Sequence, residues 1–135
     1  METRKVLIDT NLFIEHIRAR DKTTSALARI QEQHHQLVTS SIVVAELCYG
    51  ARSSMMRGEV DKVLYGIDIL PFTAEMAFQV SLEAERLKAQ NCIIGFRDLA
   101  IACIGLISGL PIATLNRKEF GSLKDLLLFN FDELT

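Results

Sequence analysis

Val6, Leu7 and Ile8 make a continuous apolar run that stops at an acid, a hydroxyl and an amide: Asp9, Thr10 and Asn11. A strand that is apolar at consecutive positions must be covered on both faces, which is the situation of a parallel sheet held between layers of helices. In open sheets of that kind ligands bind outside the carboxyl ends of the strands, so Asp9 stands where chemistry collects. Asp is also a preferred helix N-cap, and helical spacing begins near Leu12, so this segment alone leaves capping and function equally open.

The rest of the chain repeats the alternation. LFIEHIRAR and TTSALARIQEQHH carry apolar residues at helical spacing, QLVTS and IDIL (67–70) read as short strands, and between these SIVVAELCYGARSS reads as a helix capped by Ser40 or Ser41, with Gly50 near its stop. From Thr73 to Ala89, Ala77, Val80, Ala84 and Leu87 form an apolar stripe with Gln79, Glu83 and Arg86 opposite, and Thr73 caps the helix. RDLAIACIGLISGLP is apolar nearly all round and closes on Gly109 and Pro111, which predicts a helix buried in the core or at a subunit interface. A strand at PIAT and a weak one near LLLFN complete the pattern. The expectation is an α/β fold with a central, mainly parallel sheet of four to five strands.

A chain of 135 residues that is 49% hydrophobic and 24% charged is expected to form one globular domain, 1–135. Neither a membrane span nor the long apolar stretch of a signal peptide is visible, which predicts a cytoplasmic protein with no membrane partner. Cys48, Cys92 and Cys103 are odd in number and set among apolar neighbours, so they read as buried thiols. The net charge of −2 argues against a protein that coats nucleic acid by bulk electrostatics, although an acidic centre inside a basic rim is compatible with a nuclease.

Three acids sit on apolar faces. Asp9 ends the buried strand, Glu46 follows Ile42 and Val43 by four and three residues, and Asp98 precedes Ile101 and Ala102 by three and four. Acids are almost never fully buried without a partner, and no matching set of inward-facing Lys or Arg is apparent. Two carboxylates roughly 5 Å apart at an effective dielectric of about 20 repel by about 3 kcal/mol, and three such pairs by about 9. If they converge, protons or a cation must neutralise them. Oxygen ligands without His or Cys select Mg²⁺ or Mn²⁺, ions that activate water and complete their coordination with phosphate oxygens, so the inferred chemistry is metal-assisted hydrolysis of a phosphodiester.

The order DTN, AELCYG, IGFRDLAIA and TLNRKEF resembles PIN domains, specifically the VapC-type toxin ribonucleases of toxin–antitoxin pairs, from Val6 to about Phe120. The resemblance implies a three-layer α/β/α PIN-like fold. It also implies a Mg²⁺ (or Mn²⁺)-dependent endoribonuclease acting on structured RNA, tRNA among the candidates. Asp9, Glu46 and Asp98 become the metal-binding acids, with Asp9 and Asp98 the most direct ligands. Thr10 and Asn11 support the loop, and Thr114 hydrogen-bonds within the site. Many such proteins carry a fourth acid two residues after the Thr; here Asn116 stands there, with Glu119 three further on, so Asn116 and Glu119 are expected to tune the site around one well-ordered ion. The family also implies a homodimer and an antitoxin that reaches the site through a groove.

Arg97, Arg117 and Lys118 flank the acids and are candidates for RNA phosphates, as are Arg52 and Arg57. His34 and His35 read as surface histidines. Met55, Met56 and the aliphatic residues of the first two helices read mostly as core, with an exposed groove as the alternative. Two rivals to the nuclease are an inert PIN-like binding module that has lost catalysis through Asn116, and a receiver-like domain using Asp9 as phospho-acceptor. The second lacks the paired acid it needs beside Asp9.

Overall fold

The computed structural model describes residues 4–33 and 35–134. Four strands, β1 (Lys5–Ile8), β2 (Gln36–Ser40), β3 (Asp68–Leu70) and β4 (Ile112–Ala113), form one parallel sheet in the order β3-β2-β1-β4. The helices are α1 (Thr10–Arg18), α2 (Ala26–Glu32), α3 (Ser41–Gly50), α4 (Ser54–Leu64), α5 (Ala74–Ala89), α6 (Phe96–Ser108) and the single turn α7 (Arg117–Phe120). From β1 to β3 the chain moves one way across the sheet, and from β3 to β4 it returns past β2 and β1. Right-handed crossovers therefore place α1 to α4 on one face and α5 with α6 on the other. The packing agrees: α1 contacts α2, α3 and α4, while α5 contacts α6. This is the expected three-layer α/β/α arrangement. The sheet is covered on both sides, as the VLI run requires: Val6, Leu7 and Ile8 are at most 1% exposed.

Close packing on the second face depends on Gly105, since a Cβ there would lie 2.8 Å from Cδ1 of Ile112. α6 ends at Gly109, whose φ of 68° is the left-handed cap anticipated from the sequence. The expected fifth strand near LLLFN shrinks to a single bridge, Ile112 to Leu128, made by hydrogen bonds from Ile112 N to Leu127 O and from Phe129 N to Ile112 O, both 2.9 Å.

Several expectations give way. α4 lies where no helix was foreseen; it is capped by Ser53 and buries only Val60, so it carries little apolar periodicity to read. On α5 the inward stripe is Met76, Val80, Glu83 and Leu87, while Ala77 and Ala84 are exposed. The larger side chains win the interior, and Glu83 goes with them because Gln79 Nε2 at 2.8 Å and Arg86 NH1 at 2.9 Å donate to its Oε1. Cys48 is exposed rather than buried, and Cys103 is buried; its burial, then the nearby charge of Glu83, push the thiol up to about 11. His35 is buried, accepting from Arg4 N at 3.3 Å and meeting the Phe129 ring edge-on; His34 lies outside the described residues. Met55 and Met56 are exposed, not core. None of the described helices is long and apolar enough to cross a membrane.

Candidate active site

The strand order reverses between β1 and β4, so the crevice beyond their carboxyl ends is the switch point where ligands enter sheets of this class. Asp9 leaves β1 into that crevice and Thr114 leaves β4 beside it. Asp9 is fully buried and is also the N-cap of α1: its Oδ1 accepts from Thr10 N at 2.8 Å. Capping and site placement are therefore both true of it. Its other oxygen, Oδ2, accepts from the Thr114 hydroxyl at 2.8 Å. Thr114 Oγ1 in turn accepts from Asn11 Nδ2 at 3.1 Å and Asn116 N at 3.0 Å, and Asn11 Oδ1 accepts from Leu115 N at 3.0 Å. Asn11 and Thr114 thus lock the two strand ends together, while Thr10 serves Asp9 through its N–H.

Glu46 reaches the crevice from α3, with Thr10 Oγ1 donating to its Oε1 at 2.8 Å. Asp98 comes from the first turn of α6, where a negative charge suits the helix dipole. The centre of the cluster holds a side chain that the sequence reading placed at the rim. Arg97 donates from NH2 to Asp9 Oδ1 at 2.5 Å, from Nε to Glu46 Oε1 at 2.8 Å and from NH1 to Asp98 Oδ1 at 2.5 Å. NH2 also donates to Thr10 Oγ1 at 2.9 Å. One inward-facing arginine was therefore missed, and it serves all three acids. Burial alone would lower the guanidinium pKa, but its hydrogen bond to and charge attraction by Asp9, with the bonds to Asp98 and Glu46, raise it above its ordinary value. The cluster is graded in depth: the side chains of Asp9, Asp98 and Glu46 are 0%, 17% and 37% exposed.

The remaining candidates lie further out. Asn116 is exposed and joins the network only through its backbone N–H. Glu119 is half-buried on α7, and among the described residues no ion pair ties it to the cluster; Arg117 and Lys118 are exposed on the same turn. Arg52 and Arg57 are exposed at α4.

Three carboxylates without His or Cys make a donor set for a hard cation such as Mg²⁺, and the guanidinium already shows that the set recruits positive charge. As arranged, however, no three acidic, His or Cys side chains among the described residues are grouped to hold an ion. The chemistry fits; the space is taken by Arg97. Beside the cluster, α1, α3 and α4 enclose an apolar groove of about 400 Å³, lined by Ile14, Ile17, Leu47, Met56 and Val60 and reaching Glu46.

Residues 6–126 match the PIN domain family. The chain belongs to that family. Among curated relatives, "Ribonuclease VapC2" of Rickettsia felis is 28% identical over 94% of this chain and 98% of its own length. The "tRNA(fMet)-specific endonuclease VapC" of Shigella flexneri is 32% identical over 86% and 89%. Among solved structures, that of VapBC2 from Rickettsia felis bound to a promoter DNA fragment superposes with a TM-score of 0.81 at 27% identity, covering 93% of this chain and 98% of the matched chain. The PIN domain described here is of the VapC type.

Proposed function

We propose that this PIN domain is a divalent-metal-dependent endoribonuclease, the toxin of a VapBC-type pair, cutting structured RNA in the cytoplasm to leave 3′-hydroxyl and 5′-phosphate ends. The observation that supports it is convergence: Asp9, Glu46 and Asp98, from β1, α3 and α6, meet at the switch point of the sheet. Asp9 and Asp98 would hold a Mg²⁺ or Mn²⁺ ion, with Glu46 completing the set or orienting water. The ion when bound supplies an acidified water and neutralises charge on the phosphodiester. The protein's own part is positional. Thr114 and the Thr10 N–H aim the buried Asp9 carboxylate by donating to both its oxygens. Asn11 ties that arrangement to β4, and the exposed Arg117 and Lys118 are placed to meet RNA phosphates. Asn116 and Glu119 flank the site as its outer polar groups.

The partners follow the same reading. The groove that ends at Glu46 suits an apolar antitoxin segment, consistent with the VapBC complex named among the structural relatives. Phe78 and Leu82 on α5, with Ile93 and Phe96, are exposed large apolar residues of the kind that a homodimer covers.

The test is Asp98→Asn. Cleavage of a tRNA pool in Mg²⁺ is expected to fall by about a thousandfold or more, with an unchanged circular dichroism spectrum. Wild-type activity in this variant would end the proposal. The inert-module reading has one observation in its favour, the arginine already seated among the acids. Calorimetry with Mn²⁺ separates the two, because an inert module binds no ion at millimolar concentration.

A further inference from the structure

Arg97 does more than neutralise. Its three nitrogens each address a different carboxylate, at Asp9 Oδ1, Glu46 Oε1 and Asp98 Oδ1, and these are the three acids that would hold the ion. The buried acid has little capacity left over: Asp9 Oδ1 also accepts from the Thr10 N–H, and Oδ2 accepts from Thr114. Three acids and one guanidinium leave a local charge of −2, enough to attract a divalent ion while the arginine still satisfies the acids in its absence. Both cations draw on the same three carboxylates and repel each other at that range, so each weakens the other's hold on the centre. Neither is Arg97 walled in. Its side chain is 33% exposed, and it sits in the first turn of α6, so rotation about its own bonds can carry the head group outward without moving the backbone.

We propose that Arg97 is an internal counter-cation that competes with the divalent ion: it closes the metal-free site, and ion binding expels it towards the mouth of the crevice. This rests on the metal reading given above. Apparent affinity for the ion is then the intrinsic affinity reduced by the fraction of molecules in which Arg97 has already left. The protein would stay folded and closed at low metal concentration, and the released guanidinium would become available at the mouth of the site.

Two measurements test this on the intact chain. Arg97→Gln removes the competitor, so Mn²⁺ should bind about tenfold or more tightly by calorimetry. The metal-free variant should melt below the wild type and gain more from Mn²⁺. The second measurement needs no variant: the Arg97 Nε–Hε resonance should be protected from exchange in metal-free wild type, and should move to the position of a free arginine as Mg²⁺ saturates the protein. Equal or weaker Mn²⁺ binding in Arg97→Gln, or an Arg97 resonance unmoved at saturating Mg²⁺, overturns the competition and leaves the metal site standing. Absence of ion binding from both proteins overturns the competition and the metal reading together. Should the variant fail to fold, the resonance titration decides alone.

Discussion

Replacing Thr114 by Val tests whether the hydroxyl between the two strand ends supports the buried carboxylate. Val has nearly the shape of Thr, so the change opens no cavity and removes one hydroxyl. That hydroxyl donates to Asp9 Oδ2 at 2.8 Å, between residues 0% and 1% exposed. A charge-assisted bond in that setting is worth about 1.5–3 kcal/mol, because the acceptor loses its partner where water does not reach. Two donors also lose their acceptor, Asn11 Nδ2 and the Asn116 N–H, but both are only partly buried and water replaces much of what they lose. The expected loss is about 3 kcal/mol, a large share of the roughly 5–15 kcal/mol that holds a domain together. With a urea slope of about 2 kcal/mol per molar, the unfolding midpoint should fall by about 1.5 M, followed by far-ultraviolet circular dichroism at one fixed protein concentration. Thr114→Ser keeps the hydroxyl and loses a methyl, so about 1 kcal/mol is expected from it. A Val variant within about 0.5 kcal/mol of the wild type, or a Ser variant worse than Val, would refute the reasoning.

Two further perturbations probe the frame around the site. Gly109→Ala places a Cβ in open space but in a backbone with φ of 68°, so it should cost about 1–2 kcal/mol from conformation alone; an unchanged melting temperature would contradict the left-handed cap. His16, 2.6 Å from Ser25 Oγ, is held below its usual 6.5 by burial and then by Lys22, against the opposing pull of Glu15 and Glu59. The unfolded chain therefore takes up a proton first, so the stability His16 contributes is present above the unfolded value and is lost as pH falls through the folded one. His16→Gln should flatten the stability profile between about pH 7 and about pH 5, and an unaltered slope there would show that His16 carries none of it.

Legibility differed from residue to residue for physical reasons. Val6 to Ile8 announced a doubly covered strand because consecutive side chains of a strand point to opposite faces, and a mostly β-branched run this short, stopped by Asp9, is the length of a strand rather than of a buried helix such as α6. Asp9, Glu46 and Asp98 were visible because ionised oxygens among apolar neighbours conflict with their surroundings wherever the chain goes. α4 was hidden because one buried residue, Val60, sets no period. Glu83 was misplaced because its partners, Gln79 and Arg86, lie on its own helix, and that made the three look like a solvent-facing polar side.

Local sequence, then, determined the alternation of strands and helices, the caps at Ser40, Thr73 and Gly109, and the identity of the acids, since each depends on neighbours within a few residues. Tertiary structure alone decided where Arg97 goes. Asp98 is its neighbour in sequence, but Asp9 and Glu46 are 88 and 51 residues away, and only the reversal of strand order at β1 and β4 brings them within reach of one guanidinium. A long flexible cation has no direction of its own, and takes the one set by whichever carboxylates the fold assembles around it.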